Sequence, residues 1–176
     1  MCRRITEREV IDLYAQYNTP PHVILHCRAV ADVAVRIGEK LNEHGYSLDI
    51  DLIRGAGLSH DVARTMEEHW NKGADILEER GYYDEARIVR VHMLYARFNH
   101  VSQLNETDLV CLADKLVKED RYVGVNERFR YIMNKAPQIP LIQKRIMSSR
   151  AVTAKFVEDI EDVIGVTLEQ LFTGEK

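Results

Sequence analysis

Three polar residues stand where helical spacing calls for apolar side chains, and an adjacent polar pair joins them. His26 follows Val23 by three residues and precedes Val30 and Val33 by four and seven, so it lies in an apolar stripe. Asp114 has Val110, Cys111 and Val117 at −4, −3 and +3, and His92 has Ile88 and Tyr95 at −4 and +3. The adjacent pair His60-Asp61 closes a run of small and apolar residues, Gly55-Ala56-Gly57-Leu58-Ser59. A carboxylate taken out of water must be paired, hydrogen-bonded or bound to metal. Imidazole together with carboxylate suits a divalent transition metal. Each residue alone has a plainer reading: a hydrogen-bonded core histidine, or for Asp114 an ion pair with a nearby arginine. Neighbours on a helix diverge by about 100°, so His60 and Asp61 reach one ion together only at a helix end facing a cavity.

Helices must position these groups. Apolar residues recur at three- and four-residue steps almost throughout, and no alternation lasts long enough for a strand. A first helix is expected over about 6–17, and a second starts at Thr19-Pro20-Pro21, carries the stripe Val23, Val30, Val33, Ile37, Leu41 and stops at Gly45. A third, capped by Asp49 or Asp51, runs to the His60-Asp61 pair. Others are expected over about 67–80, 84–95, 107–118 and 126–135. After the break Ala136-Pro137-Gln138-Ile139-Pro140, a long helix covers about 140–164, with a short turn near 167–172. The whole is expected to be one all-α domain of 1–176, a helical bundle with its core at about 20–127 and a C-terminal helical extension at about 137–176. That extension either adds to the core or pairs with a second chain as a homodimer.

Composition narrows the function classes. The chain has 176 residues, 45% of them apolar, which supplies a full core and excludes general disorder. Three cysteines, Cys2, Cys27 and Cys111, with no CxxC spacing argue against a disulfide framework and a thiolate zinc site. A net charge of −4 gives no overall footprint for nucleic acid, and no apolar run nears the ~18 residues of a membrane span. The opening residues turn acidic before any signal-like stretch, so a cytoplasmic protein without nucleic-acid or membrane partners is expected. Gly55-x-Gly57 lacks the strand and helix of a phosphate loop and reads as close helix packing. Cys27 reads as core, and His22, His44 and His100 as solvated.

The order His26, His60-Asp61, Asp114 resembles the metal-binding signature of the HD phosphohydrolase superfamily, and Ala113-Asp114-Lys115-Leu116 is similar to its last motif. The resemblance spans about 20–127. It implies an all-α HD-domain bundle in which these four residues hold a metal ion. A finer likeness adds His69: His69-Trp70-Asn71-Lys72-Gly73-Ala74 resembles the histidine-x-x-x-Gly-Ala motif of the branch that hydrolyses symmetrical dinucleoside tetraphosphates, where a later histidine corresponds to His92. His69 follows Asp61 by only eight positions, and Met93 follows His92 in place of the usual threonine; both depart from that branch. The branch implies two metals with Asp61 bridging, iron first and manganese, cobalt, nickel or zinc as alternatives. Two cations about 3.5–4 Å apart activate a shared hydroxide and neutralise phosphoryl charge.

Cations at helical offsets complete the expected site. Arg64 follows Asp61 by three residues; Lys118 and Arg121 follow Asp114 by four and seven, and Lys115 is adjacent to it. Arginine and lysine beside a metal suit phosphate. For Lys118 and Arg121 the alternative is pairing with surface acids. The expected function is a metal-dependent phosphohydrolase acting on a nucleotide or small phosphoester, with hydroxide attack on phosphorus. Asp61, Arg64 and Lys118 carry catalysis there, and Arg64, Lys115, Lys118 and Arg121 bind the substrate. A dinucleoside polyphosphate is the narrow choice. The rival is a non-catalytic HD module that senses a nucleotide or a metal.

Overall fold

Apolar stripes of the second and third helices set the frame. In the computed structural model, which describes residues 3–174, α1 spans Glu7–Gln16, α2 Pro21–Glu43, α3 Ile50–Ser59, α4 His69–Glu78 and α5 Tyr83–Val91. Then come α6, Glu106–Asp114, and a two-stranded hairpin of β1, Val117–Lys118, and β2, Arg121–Tyr122. The chain closes with α7, Gly124–Lys135, α8, Pro140–Ile164, and α9, Leu168–Thr173. The expected helical bundle is the observed fold, interrupted by one short hairpin. Cys2 lies outside the described residues.

Local chemistry fixes the ends. Thr6 and Glu9 form a capping box on α1, Asp49 caps α3 by accepting from Leu52 N–H, and prolines open α2 and α8. Gly165, at φ 72°, terminates α8 in the left-handed region that glycine enters freely. Gly57 serves another purpose. A Cβ there would lie 2.7 Å from Ala31 Cα, so its absence lets α3 close on α2.

Two apolar clusters share the interior. One joins α2, α3, α6, α8 and α9 through residues such as Ile37, Leu41, Leu112, Phe156, Ile160 and Leu168. The other joins α1, α3, α4 and α5 through Val10, Leu13, Leu58, Leu77 and Val89. The C-terminal half of α8 is therefore core, while Ile139, Leu141 and Met147 before it are exposed. Cys27 and Cys111 are buried, and burial pushes both thiols up, so they remain protonated and packed.

Two expectations need correction. The helix expected to run to Lys118 stops at Asp114, where Lys115 leaves helical geometry and its N–H bonds back to Leu112. The hairpin that follows was not expected. Strands of two residues are too short to show alternation, and their Glu119-Asp120 loop lacks the Asn-Gly or Asp-Gly pair that marks such turns. Glu119 turns the chain at φ 56°.

Candidate metal centre

The candidate ligands arrive from five helices, four of them at a helix end. His26 lies in the second turn of α2, His60-Asp61 directly after α3, His69 at the first position of α4, His92 directly after α5, and Asp114 at the last position of α6. The helix-end condition on the His60-Asp61 pair is met, because α3 stops at Ser59. Gly73 fixes the place of α4: a Cβ there would come within 3.2 Å of Val89 and 3.6 Å of Val62. Close packing at Gly73 keeps His69, one turn earlier, above the pair.

Backbone carbonyls dictate which ring nitrogens face inward. His60 Nδ1–H donates to Gly57 O at 2.8 Å and His92 Nδ1–H to Val89 O at 2.7 Å. A carbonyl only accepts, so each Nε2 is left as a lone pair. Both Nε2 atoms are buried without a hydrogen-bond partner, and Asp61 Oδ1 is in the same condition. His92 Nε2 lies 3.5 Å from Asp61 Oδ1, and His60 Nε2 lies 3.8 Å from Asp61 Oδ2. His69 Nε2 accepts from Arg64 at 3.0 Å while standing 3.1 Å from Asp61 Oδ1. Lone pairs thus converge on one another in a buried space, which is unfavourable unless a cation shares them.

A second set adjoins the first. His26 Nδ1–H donates to Glu119 O at 3.1 Å, which turns Nε2 toward Asp114 Oδ1, 3.0 Å away. Donor atoms of His26, His60 and Asp114 lie within 4.8 Å of one another, as do those of His60, Asp61 and His92, so His60 is common to both sets. Arg128 of α7 donates to Asp114 O at 3.1 Å and approaches its Oδ1 at 3.5 Å. The donor set, nitrogen and carboxylate oxygen with fixed tautomers, fits a transition-metal ion.

Electrostatics agree with the geometry. Burial lowers the His60 pKa to about 4, so its ring is neutral and able to ligate at neutral pH. Burial would raise Asp61 and Asp114, but the surrounding imidazoles and, respectively, Arg64 and Arg128 hold both far below the ordinary carboxylate range. His26 goes the other way: burial would lower it, yet the Asp114 carboxylate raises it above the usual imidazole value.

The expected cations divide. Arg64 stands at the centre, with a 45% exposed side chain whose Nη1 contacts His69 and lies 3.7 Å from Asp61. Trp70 meets the His69 ring edge-on at 5.3 Å. With α6 ending at Asp114, the helical offsets assumed for Lys118 and Arg121 do not hold. Lys118 Nζ pairs with Glu127 at 3.3 Å over the Tyr131 ring, Lys115 Nζ donates to Cys111 O, and Arg121 is exposed on β2. Residue patterns missed Arg128 and the carbonyls of Gly57, Val89 and Glu119. A carbonyl has no signature in sequence, and Arg128 sits in an ordinary charged stretch, Glu127-Arg128.

The chain is 34% identical to an uncharacterized protein of Methanocaldococcus jannaschii over 71 residues, 39% of this chain and 42% of that protein. It is 34% identical to a tRNA (cytidine(56)-2'-O)-methyltransferase of Thermoplasma volcanium over 91 residues, 49% of this chain and 25% of that protein. The matched stretches thus span less than half the length of these curated relatives. No solved structure matches. The HD domain family matches residues 23–118, more than half of the chain and the stretch holding all six ligand candidates, so the chain belongs to the HD domain family.

Proposed function

We propose that the protein is a metal-dependent phosphohydrolase acting on a nucleotide or small phosphoester, with a dinucleoside polyphosphate as the narrower reading. The observation that carries this is the convergence of His60 Nε2, His92 Nε2 and Asp61 Oδ1, buried and without donors. Two ions are proposed, iron first, with His69 joining the ligands. Bound cations at such a centre supply a nucleophile from water at neutral pH and offset phosphoryl charge.

The chain's own part is to orient and neutralise. Gly57, Val89 and Glu119 carbonyls hold the rings with Nε2 inward. Arg64, exposed and beside Asp61, is the cation placed to take a phosphoryl oxygen through its free N–H groups. Lys118 and Lys115 join it only by leaving Glu127 and the Cys111 carbonyl. Trp70 lies where a base could stack.

A phosphate-release screen on protein loaded with iron or manganese tests this, using nucleoside monophosphates, dinucleoside tetraphosphates and simple esters, with metal quantified in the same samples. Release on at least one ester and near two metal equivalents are expected. Arg64→Ala should keep its metal and lose about 10- to 150-fold in kcat/KM, the span of one charge-assisted hydrogen bond. Metal without release from any ester, together with nucleotide-dependent stabilisation, would favour a sensing module. Absence of metal under replete conditions would remove both readings.

A further inference from the structure

Charge is segregated along α8 in an order that the helix itself does not favour. From Pro140 to Lys155 it carries Lys144, Arg145, Arg150 and Lys155 and no acid; from Phe156 to Ile164 it carries Glu158, Asp159, Glu161 and Asp162 and no base. The backbone dipole favours the reverse, with acids near the N-terminus and bases near the C-terminus. Nor do contacts within the chain account for it. Lys155 reaches Asp159 at 2.9 Å and Glu158 at 3.8 Å, exposed pairs that contribute little, and Arg150 donates to Asn126. Lys144 and Arg145 point away from the core and are exposed.

The outward positions are symmetric about one point. Lys144, Arg145, Ala151, Val152, Glu158 and Asp159 lie on one face of the helix, at equal distances on either side of the Ala151–Val152 step. Ser148 and Lys155 complete the stripe at matching places. The centre is small and apolar, with Val152 38% exposed, and it opens on a cleft of about 460 Å³ walled by Phe98 and Asn99. A helix that is basic at one end, acidic at the other and apolar between matches an antiparallel copy of itself.

We propose that this face of α8 is a homodimer surface, on which two copies pair antiparallel about a two-fold axis at Ala151–Val152. Lys144 and Arg145 of each copy then face Glu158 and Asp159 of the other, in two clusters centred about 21 Å apart along the helix. The contact is isologous, as closed two-fold assembly requires, and the two helix dipoles oppose each other favourably. The overall charge of −4 conceals this polarity, because the two halves of α8 cancel.

Charge reversal tests it on the full chain. Lys144→Glu with Arg145→Glu makes the face wholly acidic, apart from Lys155; Glu158→Lys with Asp159→Lys makes it wholly basic. Sedimentation should show wild-type dimers and each double variant weakened by about 100-fold or more in dimer Kd, since like charges then oppose. An equimolar mixture of the two variants should dimerise again, because both clusters of contacts are restored. Lys144, Arg145 and Glu158 are exposed and Asp159 half-buried, and far-UV circular dichroism checks that each variant is folded. A wild-type monomer at about 100 µM, or a dimer indifferent to both reversals, would overturn the proposal. So would failure of the mixture to re-form dimers, or a monomer that binds oligonucleotide or anionic vesicles through Lys144 and Arg145.

Discussion

Two buried aspartates in this molecule have opposite surroundings. Asp108, fully buried on α6, accepts from Tyr95 O–H at 2.7 Å, Asn99 N–H at 3.0 Å, Asn99 Nδ2 at 2.8 Å and Asn105 N–H at 3.0 Å. Asp61, equally sheltered, faces imidazole lone pairs and leaves Oδ1 without a donor. Donors around a carboxylate complete it and hold the chain, here the 95–105 connection. Acceptors around a carboxylate leave a deficit that only a cation fills. Burial alone does not separate a structural acid from a functional one; the hydrogen-bond character of its neighbours does.

Substitution at the two positions should therefore act on different observables. Asp61→Asn removes a ligand charge and is expected to lower kcat/KM on the best ester by about 1,000-fold or more, about 4 kcal/mol of barrier. Its metal content should fall in parallel. Wild-type protein should lose stability on chelation and the variant should not, since binding to the native state is the source of that gain. Elemental analysis and thermal melts with and without chelator check both. An Asp61→Asn variant with full metal content would place Asp61 with Asp108 as a structural acid.

Asp108→Ala should show the converse. Four donors lose their acceptor at once, two of them backbone N–H groups, and the expected destabilisation is about 2–4 kcal/mol. Metal bound per folded molecule should be nearly unchanged, because the hydrogen bonds of the Asp108 carboxylate go to Tyr95, Asn99 and Asn105 and to none of the six ligand candidates. Denaturant unfolding beside metal analysis measures the pair of effects. Metal loss out of proportion to unfolding would mean that the 95–105 connection also supports the ligand shell.

The same contrast explains what could be read from the residues. Helix periods and prolines placed α2 and α8 well, and α8 spans Pro140–Ile164 as expected. The pattern of His26, His92 and Asp114 on apolar stripes was legible because each breaks a period that its neighbours keep. Asp108 was not, since its partners Tyr95, Asn99 and Asn105 meet it only through a folded connection. The end of α6 at Asp114 was hidden for a related reason. Leu116 and Val117 continue the helical period, yet they are buried beyond the helix, and Val123 and Gly124 N–H bond to the Leu116 carbonyl. That early stop creates the hairpin, brings Glu119 O to His26, and removes Lys118 from the face of Asp114.

Glu85 lies between the two extremes and gives the smallest effect. It is fully buried on α5, with Oε1 accepting from Ile5 N–H at 3.0 Å and Oε2 without a partner. Burial raises its pKa, and the Ile5 N–H only partly opposes this. Because the folded value lies above the unfolded one, stability from Glu85 is complete below about pH 4 and is lost as pH rises through the folded value. Asp49 and Asp84, both contacted by Arg4, are shifted the other way: their stability is present above the unfolded carboxylate range and lost only in acid. Above the unfolded carboxylate range those two stay ionised, so Glu85 alone of the three loses stability as pH rises. Glu85→Gln keeps an acceptor for Ile5 N–H and removes the titration. Its unfolding free energy relative to wild type should therefore climb as pH is raised from about 4 toward neutrality. Urea unfolding at stepped pH gives the slope directly. A flat difference across that range would mean that Oε2 is satisfied in solution and that Glu85 belongs with Asp108.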